Sequence, residues 1–121
     1  EDTKDNTGMI LNFAFNYGGR AEIVNAAKNL AIEAVNGSID SNTIDDSMFA
    51  GQLLTNQLGD LADPDLLIRT SGEERISNFM LWQLAYSEMV FDKTYWPEYS
   101  VENLIDDIKE FDRRDRRFGS V

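Results

Sequence analysis

Residues 63–78 read DPDLLIRTSGEERISN, and the rest of the chain is interpreted outward from this stretch. The Asp-Pro pair at 63–64 disfavours helix and favours an extended start. Residues 66–68, Leu-Leu-Ile, form a short apolar run that is typical of a strand buried on both faces. The run ends at Arg69, and a polar loop containing glycine follows. We predict that Ser77 closes this loop as the N-cap of a helix.

The loop has the residue types of an anion site. Arg69, Arg75 and the hydroxyl of Ser77 lie within nine residues, at the carboxyl end of the predicted strand. Guanidinium groups match phosphate oxygens in pairs, and ligands of open parallel sheets lie outside the carboxyl ends of the strands. This pattern favours phosphate binding. The residues leave an alternative open, in which both arginines are exposed and pair with Glu73 and Glu74, and the serine only caps.

Composition excludes several classes of protein. The 121 residues make a single domain, 1–121, and no apolar run is long enough to cross a membrane. A net charge of −11 argues against nucleic-acid binding by the whole surface. Because the chain has no cysteine and no histidine, disulfides, thiolate metal sites and the usual general base are excluded. The remaining groups suit magnesium and phosphate, and the polar residues 1–8 are expected to be frayed.

Hydrophobic periodicity predicts an α/β order of elements. Residues 9–15 (MILNFAF) predict a core strand, followed by the glycine turn 16–20. Two crossover helices are predicted next, at 21–36 and, from a capping-box pattern at Thr43, on to Gly59. Together with the strand at 66–68 they would form a right-handed parallel βαβ unit. Further along, the pattern predicts an apolar segment at 79–82, a strand at 86–91 and a helix capped by Ser100.

Two charged features need an explanation beyond packing. Glu88 lies inside the apolar stretch 86–91, where a carboxylate is costly to bury unless it is paired or bound to metal. A metal ligand and a strand end that meets solvent or an arginine both remain open. Four arginines crowd the last nine positions, a pattern that favours cations at a helix C-terminus. They are Arg113, Arg114, Arg116 and Arg117.

Residues 65–79 resemble the diphosphate-binding signature of the cis-prenyltransferase family, and in particular its bacterial undecaprenyl diphosphate synthases. Three further stretches agree with the family in their order along the chain: NYGGR at 16–20, WQLAYSE at 82–88 and RRDRRFG at 113–119. The resemblance runs from about residue 6 to the end of the chain. It implies part of the family's parallel-sheet α/β fold, with a sheet that is incomplete without the N-terminal half.

The resemblance also implies a function. Such transferases condense isopentenyl diphosphate onto an allylic, farnesyl-type diphosphate and build a long cis-polyprenyl diphosphate, such as undecaprenyl diphosphate, for the cell wall. The implied protein is a Mg²⁺-dependent cytoplasmic homodimer of the isoprenoid pathway, with peripheral membrane contact through its product. The implied roles are diphosphate binding by Arg69, Arg75 and Ser77, magnesium binding by Glu88, completion of the partner's site by Arg117 and Gly119, and tunnel lining by Met9. Plain core packing is an equal alternative for Met9.

One departure from the family is large. Its members carry an early Asp-Gly-Asn-Gly-Arg loop, whose aspartate works with magnesium to ionise the allylic diphosphate, and this sequence has no such loop. We therefore expect a C-terminal half that is inactive alone and needs the missing N-terminal half or a swapped copy. Two alternatives are a non-catalytic accessory subunit, which would tend to lose the diphosphate-binding residues, and a generic anion-binding domain.

Overall fold

The computed structural model describes residues 2–114. It is a mixed α/β structure with one short parallel sheet. The strands are β1 (Leu66–Arg69) and β2 (Glu88–Phe91), and the α-helices are α1 (Gly19–Val35), α2 (Asp46–Ala50) and α3 (Val101–Asp112). Short 3₁₀ helices cover Ser41–Thr43, Leu54–Leu61 and Trp96–Glu98. Within the described residues no helix is long and apolar enough to span a membrane.

The structure confirms the strand predicted at 66–68 and, in shorter form, the strand predicted at 86–91, and it pairs the two with each other. β1 and β2 run parallel, with Leu66 opposite Glu88 and Arg69 opposite Phe91. The Asp92 N–H donates to the Arg69 carbonyl at 2.8 Å and so extends the pairing one residue beyond β2. Because the strands are parallel, their carboxyl ends meet at one edge, and the loops that follow them become neighbours.

The strand predicted at residues 9–15 is wrong for this structure. The segment has no regular secondary structure, and Met9, Phe13 and Phe15 are 80%, 67% and 84% exposed. A strand exists only through hydrogen bonds to a neighbour, and among the described residues β1 pairs with β2 alone. The predicted βαβ unit between 9–15 and β1 is therefore absent from this part of the chain.

The first crossover helix is confirmed, and the second is shorter than predicted. α1 begins at Gly19 and ends at Val35, followed by Gly37 at φ 73°. The second helix starts after Asp45, whose carboxylate accepts from the Met48 N–H at 2.9 Å, so Thr43 is not its cap. It ends at Ala50, after which the Gln52 N–H donates to the carbonyl three residues back, and the Leu54 N–H donates to the Glu22 carboxylate at 2.8 Å.

The predicted helix cap at Ser77 is also wrong. Ser77, Asn78 and Met80 have φ values of 48°, 64° and 45°, which are incompatible with an N-cap leading into a helix. Residues 79–86 form consecutive turns that end at β2. The Asn78 carbonyl and side chain accept from the Gly19 and Arg20 N–H groups, at 2.7 Å and 2.8 Å. The turn therefore docks on the start of α1.

α3 confirms its predicted cap. Ser100 and Asn103 form a capping box, with the Ser100 N–H donating to Asn103 Oδ1 at 3.0 Å. Among residues 2–114 the hydrophobic core is small, and its buried apolar residues are Ala26, Leu30, Leu53, Leu84 and Val90. The core lies between α1, the turns after residue 78 and the sheet, while the apolar face of α3 stays partly exposed.

Candidate anion-binding site

The arginine loop, residues 69–75, leaves the carboxyl end of β1 through a tight turn. Ser71 and Gly72 both have positive φ, 70° and 69°. Their N–H groups donate to the carbonyls of Thr94 and Asp92, at 2.8 Å and 3.0 Å. The loop after β1 is therefore held against the loop after β2, at the edge of the sheet where parallel-sheet ligands bind.

A cavity of about 350 Å³ opens beside this turn. Its polar wall consists of the half-buried Arg69 with Thr70, Ser71 and Glu73, and its apolar wall includes Ile76 and Phe79. Within residues 2–114 the Arg69 guanidinium has no hydrogen-bond or ion-pair partner. A partly desolvated cation without a counter-ion favours an anion in this cavity.

The other two predicted anion ligands are placed differently. Arg75 forms an ion pair with Glu73, and their side chains are 69% and 39% exposed. Ser77 is exposed in the turn and is not a helix cap. Neither Arg75 nor Ser77 belongs to the wall of the Arg69 cavity. The arginine–glutamate pairing that the sequence left open is what the structure shows for Arg75.

Glu88 pairs with an arginine. Arg114 Nη1 donates to Glu88 Oε2 at 3.1 Å and to the Met89 carbonyl at 2.8 Å, while Nη2 pairs with Glu110. The hydrogen bond to Glu110, followed by that to Glu88, raises the pKa of Arg114. The sheet register puts Glu88 beside Leu66, so three residues, about 10 Å of strand, separate its backbone from the level of Arg69.

The described residues contain no group of three or more carboxylates that could hold a metal ion. Glu88 is the single metal ligand that the sequence predicted, and in this structure it pairs with Arg114. Met9 is exposed, so its tunnel-lining role stays a prediction. Arg117 and Gly119 lie outside the described residues.

A buried polar cluster was missed by sequence reasoning. The Glu22 carboxylate, 6% exposed, accepts from the Tyr17 hydroxyl, the Leu54 N–H and Gln83 Nε2. Gln83 also donates to Thr55 Oγ1 at 3.1 Å, and among described residues its Oε1 has no partner. Burial and the hydrogen bond to Glu22 raise the pKa of Tyr17 to about 12. The only available signal was Glu22 on the otherwise small and apolar inner face of α1.

Fold and geometry together define an α/β protein with an arginine-lined cavity, a candidate anion site, at the carboxyl end of a parallel sheet. The family profile described as "Putative undecaprenyl diphosphate synthase" matches residues 1–119. The chain belongs to this cis-prenyltransferase family. Residues 65–79, where the sequence resemblance is most specific, contain both β1 and the arginine loop.

Similar proteins agree on the family. The isoprenyl transferase of Bacillus subtilis (strain 168) is 54% identical over 121 residues, which is 100% of this chain and 45% of that protein. The ditrans,polycis-undecaprenyl-diphosphate synthase ((2E,6E)-farnesyl-diphosphate specific) of Lactiplantibacillus plantarum is 52% identical over 99% of this chain and 46% of its own length. The chain thus spans about half the length of the curated relatives it matches.

Solved structures give the same result. Lavandulyl diphosphate synthase from Lavandula x intermedia, in complex with dimethylallyl diphosphate, superposes with a TM-score of 0.82 and 39% identity. The match covers 86% of this chain and 44% of that one. A "probable undecaprenyl diphosphate synthase" from Campylobacter jejuni superposes with a TM-score of 0.74 and 32% identity, over 98% of this chain and 51% of its own.

Proposed function

We propose that this chain is the C-terminal portion of a synthase that condenses isopentenyl diphosphate onto an allylic, farnesyl-type diphosphate. The product would be a long cis-polyprenyl diphosphate such as undecaprenyl diphosphate. The observation that carries the proposal is Arg69, which lines a cavity of about 350 Å³ and whose guanidinium has no partner among residues 2–114, in a chain whose family match covers residues 1–119. Relatives named for this activity and for isoprenyl transfer support it.

Arg69, Arg75 and Ser77 would bind the diphosphate of isopentenyl diphosphate. Arg69 already lines the cavity. Arg75 would exchange its exposed pairing with Glu73 for phosphate oxygens, which is an inexpensive step because exposed ion pairs contribute little. The cations would then stabilise the negative charge of the diphosphate groups within the complete site.

The described residues would supply only part of a magnesium site. Glu88 is one carboxylate, and Mg²⁺ commonly takes one or two carboxylates together with substrate phosphate oxygens and water. Glu88 Oε2 is held by Arg114, so binding would use Oε1 or displace the guanidinium. When bound, the ion would neutralise diphosphate charge, and the role of Glu88 would be to help position it.

The chain alone is proposed to be inactive and to need another polypeptide. Its sheet has only two described strands, which is too few for independent stability. Residues 9–15 expose a run of large apolar side chains. The partner would be the part of the synthase that these residues do not cover, or a swapped copy of the chain. In the complete homodimeric synthase, Arg117 and Gly119 would complete the partner's diphosphate site.

The test is titration calorimetry on the complete synthase, comparing isopentenyl diphosphate with inorganic phosphate. We expect Arg75→Ala to raise the dissociation constant for isopentenyl diphosphate about 30-fold or more, because it removes charge-assisted hydrogen bonds. Arg113→Ala is the matched control, since within the described residues the side chain of this exposed arginine bonds the Lys109 carbonyl of α3 and no other group. An unchanged constant in Arg75→Ala would overturn its assignment. Equal weak binding of both anions by the unmodified protein would favour a generic anion site.

A second candidate is an accessory subunit that lends its C-terminal Arg-x-Gly to a catalytic partner. Retention of Arg69, Arg75, Ser77 and Glu88 ranks this below the first proposal. Arg69→Ala separates the two. It would abolish turnover of a synthase whose own site is here, and it would leave the turnover of a partner's site unchanged.

A further inference from the structure

The turn in the arginine loop needs support from outside. Ser71 has φ 70°, in the left-handed region, where a residue other than glycine is strained by about 1 kcal/mol or more. Such a conformation persists only when surrounding contacts hold it. Here the contacts are the two backbone hydrogen bonds to Thr94 and Asp92. The spacing of Arg69 and Arg75 across the turn therefore depends on the loop after β2.

Thr94 is fixed in turn by α3. Asn103 Nδ2 donates to Thr94 Oγ1 at 3.2 Å, and Asn103 belongs to the capping box in the first turn of α3. The Thr94 N–H donates to Asp92 Oδ1 at 2.6 Å. A continuous path of hydrogen bonds thus joins the first turn of α3, through Thr94, to the Ser71 N–H.

Asp92 is the second residue after β2 whose backbone holds the arginine loop. Its N–H donates to the Arg69 carbonyl at 2.8 Å, and its own carbonyl accepts from Gly72. Hydrogen bonds from Thr94, and a smaller one from Asn103, lower the pKa of the Asp92 carboxyl. The carboxylate therefore stays ionised at neutral pH and remains an acceptor for the Thr94 N–H.

We propose that Thr94 and Asn103 are positioning residues for diphosphate binding, because they hold the arginine loop in the conformation that places Arg69 in its cavity. Neither side chain lines that cavity, so neither is a ligand. The inference rests on the proposed function, and it adds α3 and the loop after β2 to the residues that determine affinity.

The test is Thr94→Val in the complete synthase, with Thr43→Val as a matched control. Valine keeps the β-branched shape and removes Oγ1, which accepts from Asn103 and hydrogen-bonds the Asp92 carboxyl. Thr43 also uses its hydroxyl in one hydrogen bond, to the Asp40 carbonyl at 2.8 Å, far along the chain from the arginine loop. Two quantities are measured: the dissociation constant for isopentenyl diphosphate by calorimetry, and amide hydrogen exchange at Ser71 and Gly72.

We expect Thr94→Val to weaken binding about fivefold and to speed both amide exchange rates by at least as much, the equivalent of one hydrogen bond. Thr43→Val should stay within twofold of the unmodified protein in both measurements. Asn103→Ser, which loses both the Nδ2 donor to Thr94 and the Oδ1 acceptor of the capping box, should change both quantities in the same direction.

Faster exchange with unchanged affinity would show a merely structural role and overturn the inference, as would no change in either quantity. If Thr94→Val fails to fold, Asn103→Ser decides by the same two measurements. Failure of the proposed function is distinct. It would appear as absence of preference for isopentenyl diphosphate over inorganic phosphate in the unmodified protein.

Discussion

At the scale of single residues, hydrogen bonds and ion pairs determine which charged side chains are available to bind a ligand. Arg69 lacks a partner among residues 2–114, whereas Arg75 and Glu88 pair with Glu73 and Arg114. All three are charged residues of the same family motifs, and sequence spacing does not distinguish them. The phenol of Tyr17 shows the same dependence on surroundings, because it donates to the buried Glu22 carboxylate.

Tyr17 predicts a pH dependence of stability. Its pKa is raised from 10.0 to about 12, so its contribution is fully present below pH 10 and is lost as the pH rises from 10 to 12. We expect the free energy of unfolding, measured by urea denaturation, to fall by about 1–2 kcal/mol over this range. This value allows for solvent screening of a half-buried group. Tyr17→Phe should flatten part of that fall. The pKa of Tyr99 is also raised, chiefly by burial and by Asp107, so some dependence should remain. An identical profile in Tyr17→Phe would contradict the assignment.

At the scale of elements, close contact between the start of α1 and the turns after residue 78 brings two family motifs together. The Gly19 N–H donates to the Asn78 carbonyl at 2.7 Å. A Cβ at Gly19 would lie 2.8 Å from Leu81 Cγ and 3.1 Å from the Asn78 oxygen. Glycine is therefore required here for approach, although this φ is an ordinary helical one.

Gly19→Ala should be destabilising, by about 1–3 kcal/mol, because the added methyl group overpacks this contact. Chemical denaturation measures the change in the free energy of unfolding. Gly8→Ala is the control, since a Cβ at that position meets nothing within 4 Å and should alter stability by less than about 0.5 kcal/mol. Equal stability of the two variants would mean that α1 and the turns are not in close contact.

At the scale of the whole molecule, residues 2–114 bury too little apolar surface to be stable as an independent domain. Five hydrophobic residues in this part of the chain are buried, and the sheet has two described strands. Phe13 and Phe15 stack on each other at 5.9 Å but are otherwise largely exposed. Such a surface predicts association with another polypeptide.

Analytical ultracentrifugation of the isolated 121-residue chain tests this expectation. We expect oligomers or aggregates, and a heterologous complex when the segment that completes the synthase is supplied. Phe13→Ser/Phe15→Ser should weaken association, whereas Lys28→Ser, on the exposed face of α1, should not. A stable, compact monomer of the unmodified chain would contradict the proposed need for a partner.

Local signals in the sequence determined much of this protein. Periodicity predicted α1, apolar runs predicted β1 and β2, and the serine before α3 predicted its cap, because each depends on neighbours along the chain. The family motifs also placed the candidate anion site at the end of β1. Only the tertiary structure decided that residues 9–15 have no strand partner among those described, that Ser77 begins a left-handed turn, and that Glu88 meets Arg114. Those outcomes depend on which groups, distant in sequence, form hydrogen bonds with the backbone or pair with a charged side chain. No local pattern contains that information.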